Sequence, residues 1–187
     1  TATLTATPGT DWRFQAWGGD AADQTGNATI VMDSNKTVTA TFVEMLTQTI
    51  TFPAVTDKVT SDAPFTVAAT ASSGLPVSFS ATGVCSVSSA TVTLDGTVGT
   101  CTITANQVGN GNYLPATPVA RTFTVAAAEF PLTVTVEGQG SVTGGGIDCP
   151  STCTVPVTSG ATVQLTAAPA TDWYFGGWTG AATGTTN

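Results

Sequence analysis

TDWRFQAWGGD, residues 10–20, is answered near the other end of the chain by TDWYFGGWTG, residues 171–180. All four tryptophans stand in these two phrases. Worked outward, the likeness continues without a gap: TATLTATPGTDWRFQAWGGD from Thr1 aligns with TVQLTAAPATDWYFGGWTGA from Thr162. Leu4 meets Leu165, Pro8 meets Pro169, Asp11 and Trp12 meet Asp172 and Trp173, Phe14 meets Phe175, and Trp17 meets Trp178. Self-similarity of this kind marks a repeated structural unit. The first copy runs on into an ending, NATIVMDSNKTVTATF (27–42), with DSNK as a turn between two alternating strands. The second is preceded by a beginning, FPLTVTVEGQGSVTGGGIDCPSTCTVPVTSGATVQLTAAP (130–169), which reads strand, Gly-rich turn, strand, cysteine loop, strand. Residues 130–187 followed by the first copy's ending make one whole unit.

The aromatic phrase poses a problem of faces. In a regular strand Trp12 and Phe14 share one face, and Trp17 lies on the other with Arg13 and Gln15. A bulge near Gln15–Ala16, matched by Gly176–Gly177, returns Trp17 and Trp178 to the side of the phenylalanines. Phe14, Trp17, Phe175 and Trp178 are then core residues. Trp12 and Trp173 are left for an exposed patch or a contact between domains.

Between the copies, residues 47–126 form a different module. Its strand segments are TQTITFPAV, PFTVAATAS, PVSFSATG, CSVSSATVTL, CTITANQVG and RTFTVAA, spaced by turns as in a β-sandwich. The joints VEML and AAAEFP are short and poor in Gly and Ser, which predicts semi-rigid connections.

Composition agrees with an all-β chain. Thr alone is 40 of 187 residues, β-branched residues favour strands, and no segment carries an amphipathic 3.6-residue period. Arg13, Lys36, Lys58 and Arg121 are the only basic residues against 12 acidic ones. Neither a nucleic-acid backbone nor an anionic membrane surface is served by so few scattered cations. There is no initiator Met, no leader and no apolar run near 18 residues, so no membrane insertion is expected and the chain reads as a mature product or an excised piece.

The four cysteines pair by position. Cys149 and Cys153 enclose CPSTC, while Cys85 and Cys101 stand on strand-like runs separated by LDGTVG. Two disulfides in an oxidising compartment suit this arrangement, the longer loop being worth about 3 kcal/mol. The rivals are free thiols or a four-thiolate zinc site, for which C-x3-C plus two distant cysteines is poor spacing.

The flanking segments, residues 1–43 and 130–187, resemble the divergent internalin-type B-repeat of bacterial surface proteins. The likeness rests on LTVTVEGQGSVTGGGIDCPSTC, SGATVQLTAAP and FGGWTG, and on WGGD and MDSNKTVTATF of the first copy. It implies two partial units of a small antiparallel, β-grasp-like fold. Family members often carry a second cysteine pair after W-x-G. Here those places hold AATGTTN and DAADQTGNATI, so that cross-link is not expected. The middle module is similar to bacterial Ig-like domains through QTITFPAVTDKVTSDAPFTVAATASSGLPVSFSATGVCSV, GTCTITANQVGNGNY and RTFTV. Together the resemblances imply an extracellular stalk, adhesin or filament module without catalysis.

Residue chemistry points the same way. With no His, triads built on a His base are impossible, and no Lys or helix follows GQGSVTGGG to make a phosphate loop. Asp20, Asp23 and Asn27, with Asp33 as a further oxygen donor, are candidate calcium ligands, although their spacing matches no cage pattern and a solvated acidic loop is the plainer reading. No cofactor is expected. Asn27 and Asn35 begin formal glycosylation sequons, and O-glycosylation of exposed Thr is an equal alternative. The expected function is a spacer, stalk or filament block at the cell surface, completed head-to-tail by a neighbouring repeat or a second copy. The alternative is an adhesin module that binds a glycan or host protein through Trp12 and Trp173.

Overall fold

The computed structural model describes residues 1–182, and these contain strands, turns and no α-helix. Nothing among them is a helix long and apolar enough to cross a membrane. The first segment holds β1 (Ala2–Leu4), β2 (Trp12–Gly19), β3 (Ala28–Ile30) and β4 (Val38–Glu44). The middle holds β5 (Ile50–Thr51), β6 (Lys58–Val59), β7 (Phe65–Thr66), β8 (Thr70–Ala71), β9 (Ser78–Gly83), β10 (Cys85–Ser88), β11 (Thr91–Leu94), β12 (Gly99–Asn106) and β13 (Val119–Ala126). The last segment holds β14 (Glu129–Thr133), β15 (Gly140–Gly144), β16 (Ile147–Cys149), β17 (Thr154–Thr158) and β18 (Thr166–Pro169).

Buried side chains gather into three clusters, one in each segment. The middle cluster is the largest. Ile103, Val92 and Val125 lie at its centre, between a four-stranded sheet β6-β13-β12-β9 and a three-stranded sheet β10-β11-β7. Strict alternation puts Cys101, Ile103 and Ala105 of β12 inward and leaves Thr100, Thr102 and Thr104 outward. The Cys85–Cys101 disulfide ties the two sheets together. One expected strand, CSVSSATVTL, is instead a hairpin: β10 and β11 pair antiparallel about Ser89, whose φ of 55° turns the chain. β6 is also a finding, since it pairs parallel to β13 at the edge of an otherwise antiparallel sheet.

Two buried glutamines hold the middle module's long loop. Gln48 donates to the Gln107 side-chain oxygen at 3.0 Å and to the Leu114 carbonyl at 2.7 Å. Gln107 donates to the Pro76 carbonyl at 3.1 Å and accepts from the Gly109 N–H. Ser73 donates to the Gln48 oxygen. A buried amide pair with every partner in place rigidifies, whereas a half-satisfied one would destabilise.

That loop carries the first joint. Leu46 N–H donates to the Asn112 carbonyl at 2.8 Å, and Leu114 N–H donates to the Leu46 carbonyl at 2.9 Å. At the second joint, buried Ala128 donates its N–H to Thr60 Oγ1 at 3.1 Å and accepts from Ser159 N–H at 2.7 Å. Ala128 is thus bonded to a unit on either side of it, whereas both bonds of Leu46 go to the middle module and the neighbouring Met45 N–H reaches back to the Asp11 carbonyl at 2.7 Å.

Three exposed aspartates have their carboxyls held below the usual carboxylate range. In Asp57 the Thr124 backbone N–H is the main cause, at 2.7 Å from Oδ1. For Asp95 it is the Thr97 hydroxyl, and for Asp33 the Lys36 ammonium at 2.8 Å. A depressed folded-state pKa gives stability that is present above the unfolded value of about 4 and lost as pH falls through the folded value. The melting temperature should therefore stay flat from about pH 7 to 5 and drop below about pH 4. Asp57→Ala should lower it at neutral pH and weaken the acid dependence; scanning calorimetry across pH checks both.

Candidate functional site

The repeated aromatic phrase is the feature that the fold builds with most care. β2 pairs with β4, and the ladder runs Phe14 to Phe42 and then Ala16 to Thr41, leaving Gln15 unpaired as a β-bulge. The bulge brings Trp17 to the side of Phe14, with ring centroids 5.2 Å apart. Trp17 is only 6% exposed, packed with Ala21, Ala28 and Ile30. Its indole N–H donates to the Gly26 carbonyl at 2.7 Å. Loop 20–27 is thereby folded under the tryptophan, and the Gln24 side chain clamps it by bonds to both the N–H and the carbonyl of Thr29.

The second phrase reproduces this geometry without the ladder. Phe175 and Trp178 also stand 5.2 Å apart and pack on the third cluster, but both are half-buried, and residues 173–179 form no strand. The turn before each phrase is the same. Asp11 and Asp172 take left-handed φ of 63° and 67°, and Trp12 N–H and Trp173 N–H bond back to the carbonyls of Gly9 and Ala170. Aspartate is among the residues that tolerate that backbone.

Trp12 is 47% exposed and lies on β2 opposite Glu44. Trp173 is 55% exposed, and Tyr174 beside it is 88% exposed. One side of the Trp173 ring rests over Gly138, where an added Cβ would come within 3.0 Å of it. A shallow cleft of about 300 Å³ at the first joint is lined by Arg13, Val43, Glu44, Leu46, Asn112 and Tyr113.

The candidate calcium ligands do not converge. Asp20 accepts from Thr37 N–H at 2.7 Å and lies 3.9 Å from the Lys36 ammonium, which Asp33 also binds. Asp23 and Asn27 are exposed on the loop beneath Trp17. No group of three or more acidic, His or Cys side chains able to hold a metal occurs among the described residues. Asn35, like Asn27, is exposed. The cysteines form Cys85–Cys101 and Cys149–Cys153, so no thiolate set faces a zinc. In the second of these loops Asp148 and Thr152 exchange both backbone hydrogen bonds.

Sequence reading did not single out Gln48 and Gln107. The signal was there: Gln48 shares the inward parity of Ile50 and Phe52, and Gln107 that of Ile103 and Ala105.

An all-β chain of small units, the middle and last each braced by a disulfide, in which one aromatic unit recurs around a different module, is a repeat protein. The family model of the divergent InlB B-repeat domain matches residues 1–45 and 130–187, more than half of the chain, and the chain belongs to that family. No curated protein and no solved structure matches it significantly. The family is typically extracellular, and two disulfides fit an oxidising environment.

Trp17→Phe keeps an aromatic body and removes the indole donor. It should cost about 1 kcal/mol from the lost hydrogen bond and some packing besides. Trp178→Phe, where no such bond occurs among the described residues, should cost less. Urea denaturation of both variants measures the difference.

Proposed function

We propose that this chain is a non-catalytic structural module of an extracellular bacterial surface protein, a stiff spacer in which B-repeat units alternate with an Ig-like module of residues 47–126. The observation that carries the reading is the pair of joints, where Ala128 is hydrogen-bonded to the units on both sides of it, and Met45 and Leu46 are bonded back to the first segment and onward to the middle module respectively. Sheet ladders bear tension, the Cys85–Cys101 bond locks one sheet to the other, and the bonded joints fix the rise from unit to unit. In this reading residues 1–43 are the later part of one B-repeat unit and 130–187 the earlier part of another, each completed by a neighbouring repeat. The cores support it. Leu4, Ala6, Phe14 and Trp17 in the first cluster are the counterparts of Leu165, Ala167, Phe175 and Trp178 in the third. The two clusters thus share one set of residues and differ in what surrounds it.

The test is to give the second copy its missing surroundings. Appending a second copy of residues 27–45 after Asn187 continues the alignment in register, since Gly26 is the counterpart of Asn187. The extended chain should bury Trp178 as Trp17 is buried, with blue-shifted tryptophan emission and a higher melting temperature. Unchanged emission and melting would sink the reading.

A second reading, an adhesin module, is favoured by the exposure of Trp173 and Tyr174, consecutive residues whose rings each combine an apolar body with a polar handle. A glycan array probed with wild type and Trp173→Ala should show binding that the substitution abolishes; binding that survives it removes this patch from the account.

A further inference from the structure

The strand that the two copies share is paired differently in each. In the second copy β18 (Thr166–Pro169) lies along β15, with Ala167 opposite Val142 and Ala168 opposite Ser141. Residues 163–165, just before it, have no ladder partner among the described residues. In the first copy the counterparts of those three residues, Ala2–Leu4, pair with β3, and Thr5–Pro8, the counterparts of β18, pair with nothing described. One strand therefore has two pairing edges, and each copy uses the one that the other leaves open.

We propose that residues 1–45 of one copy of this chain take the place of residues 162–182 in another copy, adding Thr5–Pro8 to β15 and joining the two half-cores into one. This rests on the reading of residues 1–43 and 130–187 as complementary parts of one unit.

Three observations favour it. The slot selects backbone and parity, and both copies present the same of each. Burial alternates exposed and half-buried from Thr1 to Ala6 as it does from Thr162 to Leu165, with Ala167 inward like Ala6. β15 also demands close approach, because a Cβ on Gly140 would come within 2.8 Å of the Ala168 carbonyl, and one on Gly144 would overlap the Gln164 carbonyl. Thr7 and Thr3 present the same backbone atoms, so the incoming strand meets no new obstacle. Finally, the two competitors are held unequally. Residues 162–182 are anchored by the four pairs of β18, and their aromatic phrase has no ladder. Residues 1–45 have two ladders, the Trp17–Gly26 bond and a buried cluster of their own, so they move as a body and the weaker segment gives way.

Such a contact joins residues 1–45 of one copy to β15 of the next. It is heterologous, so it closes into a ring where the rotation between successive copies closes and otherwise extends as a fibre.

The register makes the proposal testable on the 187-residue chain. Thr7 is the counterpart of Ala168, so Ser141→Cys in one chain and Thr7→Cys in another should form a disulfide when the two are mixed and oxidised. The product has twice the 18.7 kDa chain mass on a non-reducing gel. Thr10→Cys, beyond the paired stretch, should give at least tenfold less product. Ser141→Cys with Ala168→Cys in one chain should close internally and remain monomeric, which shows that the slot folds and is reachable by oxidant. Ser141–Thr7 product no greater than the Thr10→Cys background, with the internal control closed, overturns the exchange. The chain extended by residues 27–45 separates the two proposals. If it gains stability and loses cross-linking to Thr7→Cys, both stand. If it gains stability while the unextended chain never cross-links, the complementary-unit reading survives and the exchange does not.

Discussion

A single unpaired residue, Gln15, decides whether the B-repeat unit has a core. Phe14 and Trp17 are three apart, and a regular strand would place them on opposite faces. One of two large aromatic groups would then stand in water, forfeiting roughly 1.5–3 kcal/mol of burial. The bulge shifts the register between Phe14 and Ala16 and puts both rings on one side. The rest of the segment follows. The indole N–H, now inside, needs an acceptor and finds the Gly26 carbonyl; loop 20–27 curls to supply it, and Ala21 and Ala28 close over the ring. The second copy reaches the same ring geometry through Gly176 and Gly177, the latter at a φ of 129° that favours glycine.

Small units with small cores depend on what lies beside them. Few residues in either flanking cluster are fully buried, in keeping with how little surface a short segment can remove from water. Covalent and polar devices supply the remainder. Cys149–Cys153 closes the turn between β16 and β17, and the glutamine pair holds the loop that in turn holds Leu46. Leu46 is therefore tied to the middle module's interior: the chain of contacts runs from Gln48 through Leu114 to Leu46 without a gap.

What could be read from the sequence was whatever depends on local parity and on repetition. The bulge near Gln15–Ala16 and the inward pairing of Phe14 with Trp17 follow from spacing within a few residues, whereas DSNK closes no hairpin, because β3 pairs with β1 and β4 with β2. The hairpin hidden in CSVSSATVTL did not follow from spacing, because Ser89–Ala90 carries none of the Gly, Pro or Asn signals that mark turns, and the two-residue loop itself places a left-handed φ on a serine. The parallel β6–β13 pair was out of reach for another reason: two residues have no period, and their partner lies more than sixty positions away. The inward parity of Gln48 and Gln107 is legible, but that they meet each other across 59 residues is not. Both joints share this limit, since their partners, Asn112, Leu114, Thr60 and Ser159, are neighbours only in the folded chain.

In the proposed exchange, recognition between repeats would run through the backbone, and the surface chemistry leaves it little else to use. Charged residues make up 9% of the chain, and the described ion pairs are confined to Lys36 with Asp20 and Asp33. Charge complementarity, the usual device for choosing among partners, is therefore nearly absent. Outward faces carry threonine instead, and Thr102 with Thr122 and Thr133 with Thr154 bond their hydroxyls to each other across strands. Such faces satisfy themselves and offer little to a neighbour. Selectivity must then come from shape: from Gly140 and Gly144, where only a bare backbone fits beneath the adjoining strand, and from the alternation that turns Leu4 or Leu165 inward. A slot defined in this way admits any strand that repeats the pattern and rejects a register slip of one residue, which would expose the leucine and bury a threonine.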